Sequence, residues 1–314
     1  MRMVVNFVYL FIFAVLATPL AAKPAPLVTL DWPRDGQPMT RATIKGRTLP
    51  VRVALGFDSA LLLNLGPAQA AKLKAFPIIG KQTVRNPLIP GGEAVARGNI
   101  YGVALAGAKP QNVPVVWIDK QVAADADGIV SALSFDAERV VLQRPGGGTV
   151  TTLTRKGRGD AAVEATVAGA ELSIGLDLVS PETMMSATAA DALVRAGVVK
   201  RGGAVGAWTP FPNVRLPFER LVPAPGARLL GLPLARPAAR ITEARARQLD
   251  AAAKAGTSTA QDDADTVTVT ATKRRRGTAW VLIGRDVLDR CSRIELDRPG
   301  KRWLLTCEFP PPPT

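Results

Sequence analysis

The sequence reads LGFDSA at residues 55–60 and LDLVSP at residues 176–181. Each stretch follows an alternating, strand-like run and precedes an alanine-rich run of helical character. The leading runs are residues 51–55 and 163–176, and the following runs are residues 66–73 and 187–193. A repeat of strand, tight turn and helix indicates that the chain contains two copies of one structural unit. The two turns are therefore the first places to look for function.

The N-terminal residues have the three parts of a secretory signal. Met1 and Arg2 form a short positive region, residues 4–15 are nearly all apolar, and small residues offer a cleavage site after Ala22. The apolar stretch is shorter than the roughly 20 residues that a membrane span needs. We therefore predict a cleaved signal peptide at residues 1–22 and a mature chain without a transmembrane segment. The alternative is an anchor that is not cleaved.

Charge and composition exclude several classes of function. The formal net charge is +14, but the basic residues are scattered apart from residues 273–276, which indicates a solvated surface and no nucleic-acid site. In an exported protein, lipid headgroups, anionic glycans or acidic proteins are the expected counterparts. Histidine is absent, so histidine-dependent nucleophiles and histidine-ligated zinc are excluded. We expect neither a metal nor a cofactor.

The two cysteines of the chain are placed for pairing. Cys291 and Cys307 are equally spaced about Pro299, inside a segment with the pattern of a β-hairpin. Equal spacing puts the two sulfurs opposite each other across the hairpin, and an oxidising compartment would then favour a disulfide. Two free, buried thiols are the alternative.

Valine-rich alternating runs bounded by glycine and proline predict a mainly β protein. The predicted strands are residues 42–44, 49–55, 94–100, 113–118, 139–142 and 149–153. The glycines at 146–148 predict a hairpin turn between the last two of these strands.

The polar, basic stretch at residues 154–160 predicts a boundary between a first lobe at 23–155 and a second lobe at 156–314. The second lobe carries an insertion at residues 236–276. Within it, residues 241–255 have the composition of an exposed helix and are followed by an acidic linker, a flat alternating segment and the basic cluster. Long insertions of this kind tend to be functional or disordered.

Each half resembles a lobe of the retropepsin-like or pepsin-like aspartic proteases. Beyond the strand, turn and helix, the resemblance rests on the later segments Asp127–Leu133 and Val281–Leu288, the second of which leads into Ile294–Asp297. It covers most of the chain after residue 22, outside the insertion. It implies a mainly β, bilobal, pepsin-like (acid protease) double β-barrel with short helices after each turn.

The catalytic residues of that family are not retained in both halves. The chemistry needs two carboxylates about 3 Å apart that share one proton. Aligned by the flanking elements, the family's Asp-Thr-Gly falls on residues 56–58 and 177–179, so Gly56 replaces one Asp, while Asp177 is kept without the Thr and Gly. Asp58 lies two residues beyond Gly56, too far along an extended chain to replace it.

We therefore expect no catalytic residues and a protein that is not an enzyme. The interpretation we favour is that Asp58, Ser59 and Asp177 bond turn amides through their side chains. Asp177, with Asp58 or a second chain, remains the candidate for an atypical aspartic peptidase.

Seven residues of the insertion resemble a TonB box, the energy-coupling segment of TonB-dependent outer-membrane transporters. They are Asp265, Thr266, Val267, Thr268, Val269, Thr270 and Ala271. Such a segment binds by adding a strand to an exposed sheet edge. The resemblance implies the TonB C-terminal domain and a TonB-dependent transporter as partners, and a periplasmic location. An ordinary strand of the second lobe or a disordered loop is the alternative.

These observations predict a non-catalytic, periplasmic binding or accessory protein with an aspartic-protease-like fold, linked to TonB-dependent transport through residues 265–271. The alternatives are the atypical aspartic peptidase using Asp177 and a structural envelope protein that binds anionic glycan or lipid.

Overall fold

The computed structural model describes residues 25–85, 93–157, 159–255 and 279–310. The predicted signal peptide at 1–22 and the TonB-box-like segment at 265–271 lie outside these residues. None of the helices in the described part of the chain is long and apolar enough to cross a membrane.

The described elements are short helices and many strands. In chain order the strands are β1 (Ala25–Asp31), β2 (Met39–Ile44), β3 (Arg47–Ala54), β4 (Leu61–Asn64), β5 (Lys81–Arg85), β6 (Glu93–Leu105), β7 (Gln111–Ile118), β8 (Gly128–Ser131), β9 (Ala137–Gln143), β10 (Thr149–Thr154), β11 (Val163–Val167), β12 (Ala170–Leu176), β13 (Thr183–Met185), β14 (Val199–Trp208), β15 (Leu216–Pro223), β16 (Arg228–Leu229), β17 (Leu232–Pro233), β18 (Pro237–Arg240), β19 (Ala279–Ile283), β20 (Cys291–Asp297) and β21 (Arg302–Cys307). The helices are α1 (Leu65–Ala70), α2 (Ala187–Arg195), α3 (Glu243–Lys254) and α4 (Arg285–Leu288), with a 3₁₀ turn at Ala132–Ser134.

The chain divides into two compact units. Of the described residues, the first unit comprises those up to Val163 together with Pro210–Val214 and Asp289–Glu308. The second comprises the described residues of Glu164–Thr209 and Arg215–Leu288 and those from Phe309 onward. The division near Val163 lies close to the boundary that the sequence suggested at 155/156. The C-terminal hairpin, by contrast, belongs to the first unit, because its strands join a sheet of that unit.

Each unit is built around a seven-stranded sheet, and the two sheets have the same topology. The first has the order β2-β3-β8-β4-β7-β6-β5, and the second has the order β11-β12-β19-β13-β18-β15-β14. Every strand of the first sheet thus has one counterpart at the same place in the second. In the first sheet, an additional pairing of β2 with β6 closes the sheet on itself.

The strand directions repeat as well. In the first unit β3 runs parallel to β8, β8 antiparallel to β4, and β4 parallel to β7. In the second unit β12 runs parallel to β19, β19 antiparallel to β13, and β13 parallel to β18. The prediction of a mainly β fold made of two copies of one unit, with a short helix after each turn, is confirmed.

The predicted strands of the first half are all present, and their alternating pattern has the expected cause. In β7, Val113, Val115 and Trp117 are buried, whereas the residues between them are partly exposed. Successive side chains of a strand point to opposite faces, so one face of β7 contributes to the core.

The predicted hairpin at residues 146–148 is wrong. The five-stranded sheet of the first unit has the order β1-β9-β20-β21-β10, so the C-terminal hairpin separates β9 from β10. Residues 146–148 instead lie against the end of the C-terminal hairpin, next to Ser292 and Cys307. A Cβ on Gly148 would lie 2.3 Å from the backbone of Cys307, which leaves no room for a side chain.

The predicted disulfide is confirmed. Cys291 and Cys307 face each other in the β20–β21 ladder and are bonded. Both are buried. A bulge between Cys291 and Arg293 accommodates the pair at the end of the ladder.

The insertion begins later than the sequence suggested. Residues 237–240 form β18, which pairs with both β13 and β15 in the repeated sheet. The longer connection is therefore residues 241–278, between β18 and β19, where the first unit has residues 119–127 between β7 and β8. It opens with α3, whose first turn is capped by the Thr242 hydroxyl accepting from the Arg245 N–H at 3.2 Å. Ala246 and Leu249 give this helix a buried face, so it is not wholly exposed as its composition suggested.

Candidate functional site

The turn after β12 holds Asp177 by backbone and side-chain hydrogen bonds. The Val179 N–H donates to Asp177 Oδ1 at 2.9 Å, and the Ser180 N–H donates to Oδ2 at 3.3 Å. The Ser180 hydroxyl also donates to Oδ2. The Asp177 N–H itself donates to the Ile283 carbonyl at 2.8 Å. Asp177 thus bonds the amides of its own turn, as the sequence suggested.

A tryptophan extends this hydrogen-bond chain. Trp208, at the end of β14, donates from Nε1 to Ser180 Oγ at 2.8 Å, so Ser180 accepts from the indole while it donates to Asp177. The Trp208 ring lies 6.0 Å from that of Trp280, tilted by 37°. Trp208, Ser180 and Leu178 are all buried. Connected bonds of this kind rigidify a turn.

A second carboxylate of the same unit, Asp286, is hydrogen-bonded to the strand that follows the turn. Asp286, in α4, accepts from the Thr183 hydroxyl at 2.9 Å and from the Arg236 N–H at 2.8 Å. Thr183 in turn accepts from the Gly284 N–H at 3.2 Å. Burial raises the pKa of the Asp286 carboxyl, and these hydrogen bonds only partly offset that rise. Asp286 therefore ties α4 to the strand that follows the turn.

The residue of the first unit that corresponds to Asp177 is not Gly56. Asn64 precedes α1 and Ser186 precedes α2, each as the residue before the helix. Counting back from these two residues places Leu55 opposite Asp177. Leu55 is buried and cannot replace a carboxylate.

Counting forward from the strand before each turn places Ala54, instead of Leu55, opposite Asp177. Ala54 is also apolar. Val53 pairs with Val130 in the first unit, and Leu176 pairs with Ile283 in the second. The residue after Leu176 is the aspartate, and the residue after Val53 is Ala54. The first turn is longer by one residue, which explains why the two counts differ. Both counts place an apolar residue opposite Asp177, so the first unit lacks the corresponding carboxylate.

Asp58 has a different role from the one that the sequence suggested. Its Oδ1 accepts from the Ala161 N–H at 3.2 Å, far along the chain, and among the described residues no amide of its own turn bonds it. The Ala161 carbonyl accepts from Trp303 Nε1 at 2.9 Å. Asp58 therefore helps to fasten the segment around Ala161 to the first unit. Ser59 likewise bonds the Ser134 hydroxyl, at 3.3 Å, rather than a turn amide.

Burial raises the pKa of the Asp58 carboxyl, and the nearby Asp160 carboxylate adds to the rise, while the bond from Ala161 opposes it. A carboxyl whose pKa is raised on folding contributes stability at low pH that is lost as the pH rises through the folded pKa. We therefore expect Asp58→Asn to raise the free energy of unfolding near pH 7 but not near pH 3, which lies below the ordinary carboxyl pKa of about 3.9. Urea unfolding at both pH values measures the difference.

Asp35→Asn is the matched control, since Asp35 is an exposed carboxylate of the same unit. It should leave the pH dependence of stability unchanged. Equal pH dependence of the wild type and Asp58→Asn would contradict the prediction.

Sequence reasoning found Asp177 but not its hydrogen-bond partner Ser180, nor the carboxylate Asp286, which bonds Thr183 and Arg236. The only signal for Asp286 was its place one residue after Gly284-Arg285 in the segment that carries the family resemblance. The bond from Trp208 to Ser180 could not be predicted from the sequence, because it depends on how β14 lies against the turn. Within the described ranges, no group of three or more His, Cys, Asp or Glu could hold a metal ion.

No family model matches the sequence, and no curated protein matches it. Solved structures with some similarity include EIAV protease complexed with the inhibitor HBY-793, at 15% identity, 31% coverage of this chain, 83% of that chain and a TM-score of 0.24. Another is a retropepsin-like aspartic protease from Rickettsia conorii, at 16% identity, 32% coverage of this chain, 70% of that chain and a TM-score of 0.24. Likeness this low assigns no activity to the chain.

Proposed function

We propose that this protein is a non-catalytic, exported binding or accessory protein that uses a duplicated protease-like scaffold. The observation that carries the proposal is the unequal pair of turns. Asp177 of the second unit corresponds to Ala54 or Leu55 in the first. Water activation by the aspartic-protease route needs one carboxylate from each turn, so one carboxylate leaves that route incomplete.

The surroundings of Asp177 support a structural role. Its two oxygens accept three hydrogen bonds from Val179 and Ser180, two of them from backbone amides of the same turn. Leu178 is buried beside it. A carboxylate used this way fixes the turn.

The purified protein is expected to leave a denatured protein substrate uncleaved at every pH between about 3 and 7, where aspartic proteases work. Asp177→Asn should behave in the same way, since the wild type has no activity to lose. A pepsin-type protease in the same assay shows that the substrate can be cleaved. Cleavage by the wild type that Asp177→Asn abolishes would establish the atypical peptidase instead.

The proposed partner is the TonB C-terminal domain, and the segment that would bind it is residues 265–271. The two repeats differ most between β18 and β19, at residues 241–278, where this segment lies. In the first unit only residues 119–127 separate the corresponding strands. The Cys291–Cys307 disulfide suits the oxidising compartment in which such a partner would be met.

We expect the isolated TonB C-terminal domain to bind the purified protein and to bind Val267→Pro at least about tenfold more weakly, because proline removes a ladder donor. Thr259→Pro, in the linker before the segment, is the control and should bind like the wild type. Titration calorimetry measures the affinities. Equal binding by Val267→Pro would refute the TonB link but leave the absence of peptidase activity untouched.

A further inference from the structure

The first unit carries a tight turn at residues 76–80, with the sequence FPIIG, between α1 and β5. The Gly80 N–H donates to the Phe76 carbonyl at 2.9 Å, and the Ile79 N–H donates to the Pro77 carbonyl at 2.7 Å. The Phe76 N–H donates to the Gly98 carbonyl of β6 at 2.9 Å, which fastens the turn to the sheet. A Cβ on Gly80 would lie 2.2 Å from the Phe76 nitrogen, so only glycine can close the turn.

This turn presents its apolar side chains to solvent. Ile78 is 100% exposed, Phe76 is 46% exposed and Ile79 is 41% exposed. Ile78 also has φ of +67°, in the left-handed region that β-branched residues avoid. Neither burial nor backbone preference explains an isoleucine here, since glycine or asparagine would suit the conformation better. Exposed apolar groups held in a strained backbone are typical of binding sites.

Exposed lysines precede and follow the apolar tip in the chain, and one more lies beside the segment that leads into it. Lys45, Lys72, Lys74 and Lys81 are exposed. The Lys45 ammonium donates to the Lys72 carbonyl at 3.0 Å, which brings the β2–β3 turn next to the segment that leads into the tip.

The base of the tip is held by hydrogen bonds. The Tyr101 hydroxyl donates to the Lys74 carbonyl at 2.7 Å, and the Asn99 side-chain amide donates to the same carbonyl at 3.0 Å. Neither residues 71–83 nor residues 94–105 contain Asp or Glu. The tip is thus a fixed, apolar projection, and the segments that hold it, residues 71–83 and 94–105, carry basic and no acidic residues.

We propose that this turn docks the protein on an anionic lipid surface. Phe76, Ile78 and Ile79 enter the boundary between headgroups and acyl chains, and the lysines contact lipid phosphates. The charges favour this occupant: exposed lysines on both sides of the apolar tip match a surface that is anionic in all directions. Exposed apolar side chains of a short turn can enter a lipid surface. The proposal stands apart from the proposed function, because it uses neither Asp177 nor residues 265–271.

Vesicle sedimentation tests this with the full mature chain and two lipid compositions: phosphatidylcholine alone, and phosphatidylcholine mixed in equal parts with phosphatidylglycerol. We expect binding to the mixed vesicles that weakens with added salt, and little binding to phosphatidylcholine. Ile78→Ser should lower the partition coefficient about tenfold, since it removes most of one inserted apolar side chain. Lys72→Gln with Lys74→Gln should lower it about thirtyfold.

Val150→Ser and Lys200→Gln are the matched controls, as both residues are exposed elsewhere on the molecule. Both should bind like the wild type. The cysteines are already paired, so Ile78→Cys introduces the only free thiol, and an environment-sensitive dye attached there should shift to the blue on the mixed vesicles.

The variant Ile78→Gly distinguishes a role of Ile78 in docking from a role in folding. Because glycine tolerates the left-handed backbone, this variant should raise the melting temperature by about 2–4 °C while it weakens vesicle binding. A wild type that binds no vesicles would overturn the proposal and leave a protein partner as the occupant of the tip. Equal binding by the wild type and the tip variants would also overturn it, as would loss of binding by the controls alone.

Discussion

Gly284→Ser is expected to lower the free energy of unfolding by about 3 kcal/mol, the upper end of the usual loss for a side chain forced into a packed interior. A Cβ at this position would lie 2.3 Å from the Glu182 carbonyl oxygen and 2.9 Å from the Ser180 carbonyl oxygen. Both obstacles are backbone atoms of the turn that holds Asp177. Relief of the clash therefore requires β19 and the turn to separate, which disrupts the packing at the centre of the second unit.

Urea denaturation followed by circular dichroism measures this loss as a lower midpoint. Gly66→Ala is the control: nothing lies within 4 Å of a Cβ there, and the residue is in α1, so alanine should be neutral or stabilising by up to about 1 kcal/mol. A Gly284→Ser protein that unfolds at the wild-type urea concentration would contradict the described packing of the turn.

In the first unit, the position that corresponds to Gly284 carries a side chain. Ser131 corresponds to Gly284, and its hydroxyl donates to the Phe57 carbonyl at 2.7 Å and accepts from the Leu133 N–H at 3.1 Å. The first turn spans residues 54–60, whereas the second spans residues 177–182. The additional residue makes room for a serine, which then joins the turn to the 3₁₀ segment.

That additional residue also explains what the sequence could and could not predict about the site. The repeat of strand, turn and helix was visible from alternation and composition, which are local properties. The pairing of Gly56 with Asp177 was not correct, because flanking patterns fix a position only to within a residue or two. The ladder pairs of Val53 and Leu176 fix it, and these depend on strands far away in the chain.

The prediction of a hairpin at residues 146–148 was wrong for the same reason, because strand pairing depends on residues far away in the chain. Three glycines between two strands are a strong local turn signal. Whether the two strands pair is decided by β20 and β21, which come from the end of the chain and lie between them. Local turn chemistry cannot report a non-local insertion of this kind. The equal spacing of Cys291 and Cys307 about Pro299 was informative because a hairpin is local.

Removal of the disulfide is the second change with a large expected effect. Cys291 and Cys307 are 16 residues apart, and a crosslink closing a loop of about 15 residues removes enough entropy from the unfolded chain to contribute about 3 kcal/mol. The hairpin that it closes pairs with β9 on one side and β10 on the other, so it lies inside the five-stranded sheet. We expect Cys291→Ala with Cys307→Ala to lower the free energy of unfolding by about 3 kcal/mol.

Urea unfolding of the oxidised wild type, the reduced wild type and the double alanine variant distinguishes the crosslink from the packing of the side chains. The reduced wild type keeps both sulfurs, so it should lose most of the stability that the variant loses. Reductant should not change the variant, which controls for effects of the reagent itself. If the oxidised and reduced wild types unfold at the same urea concentration, the crosslink adds nothing to a hairpin already held by strands on both sides. The stability of the C-terminal strands would then come from their pairing with β9 and β10 alone.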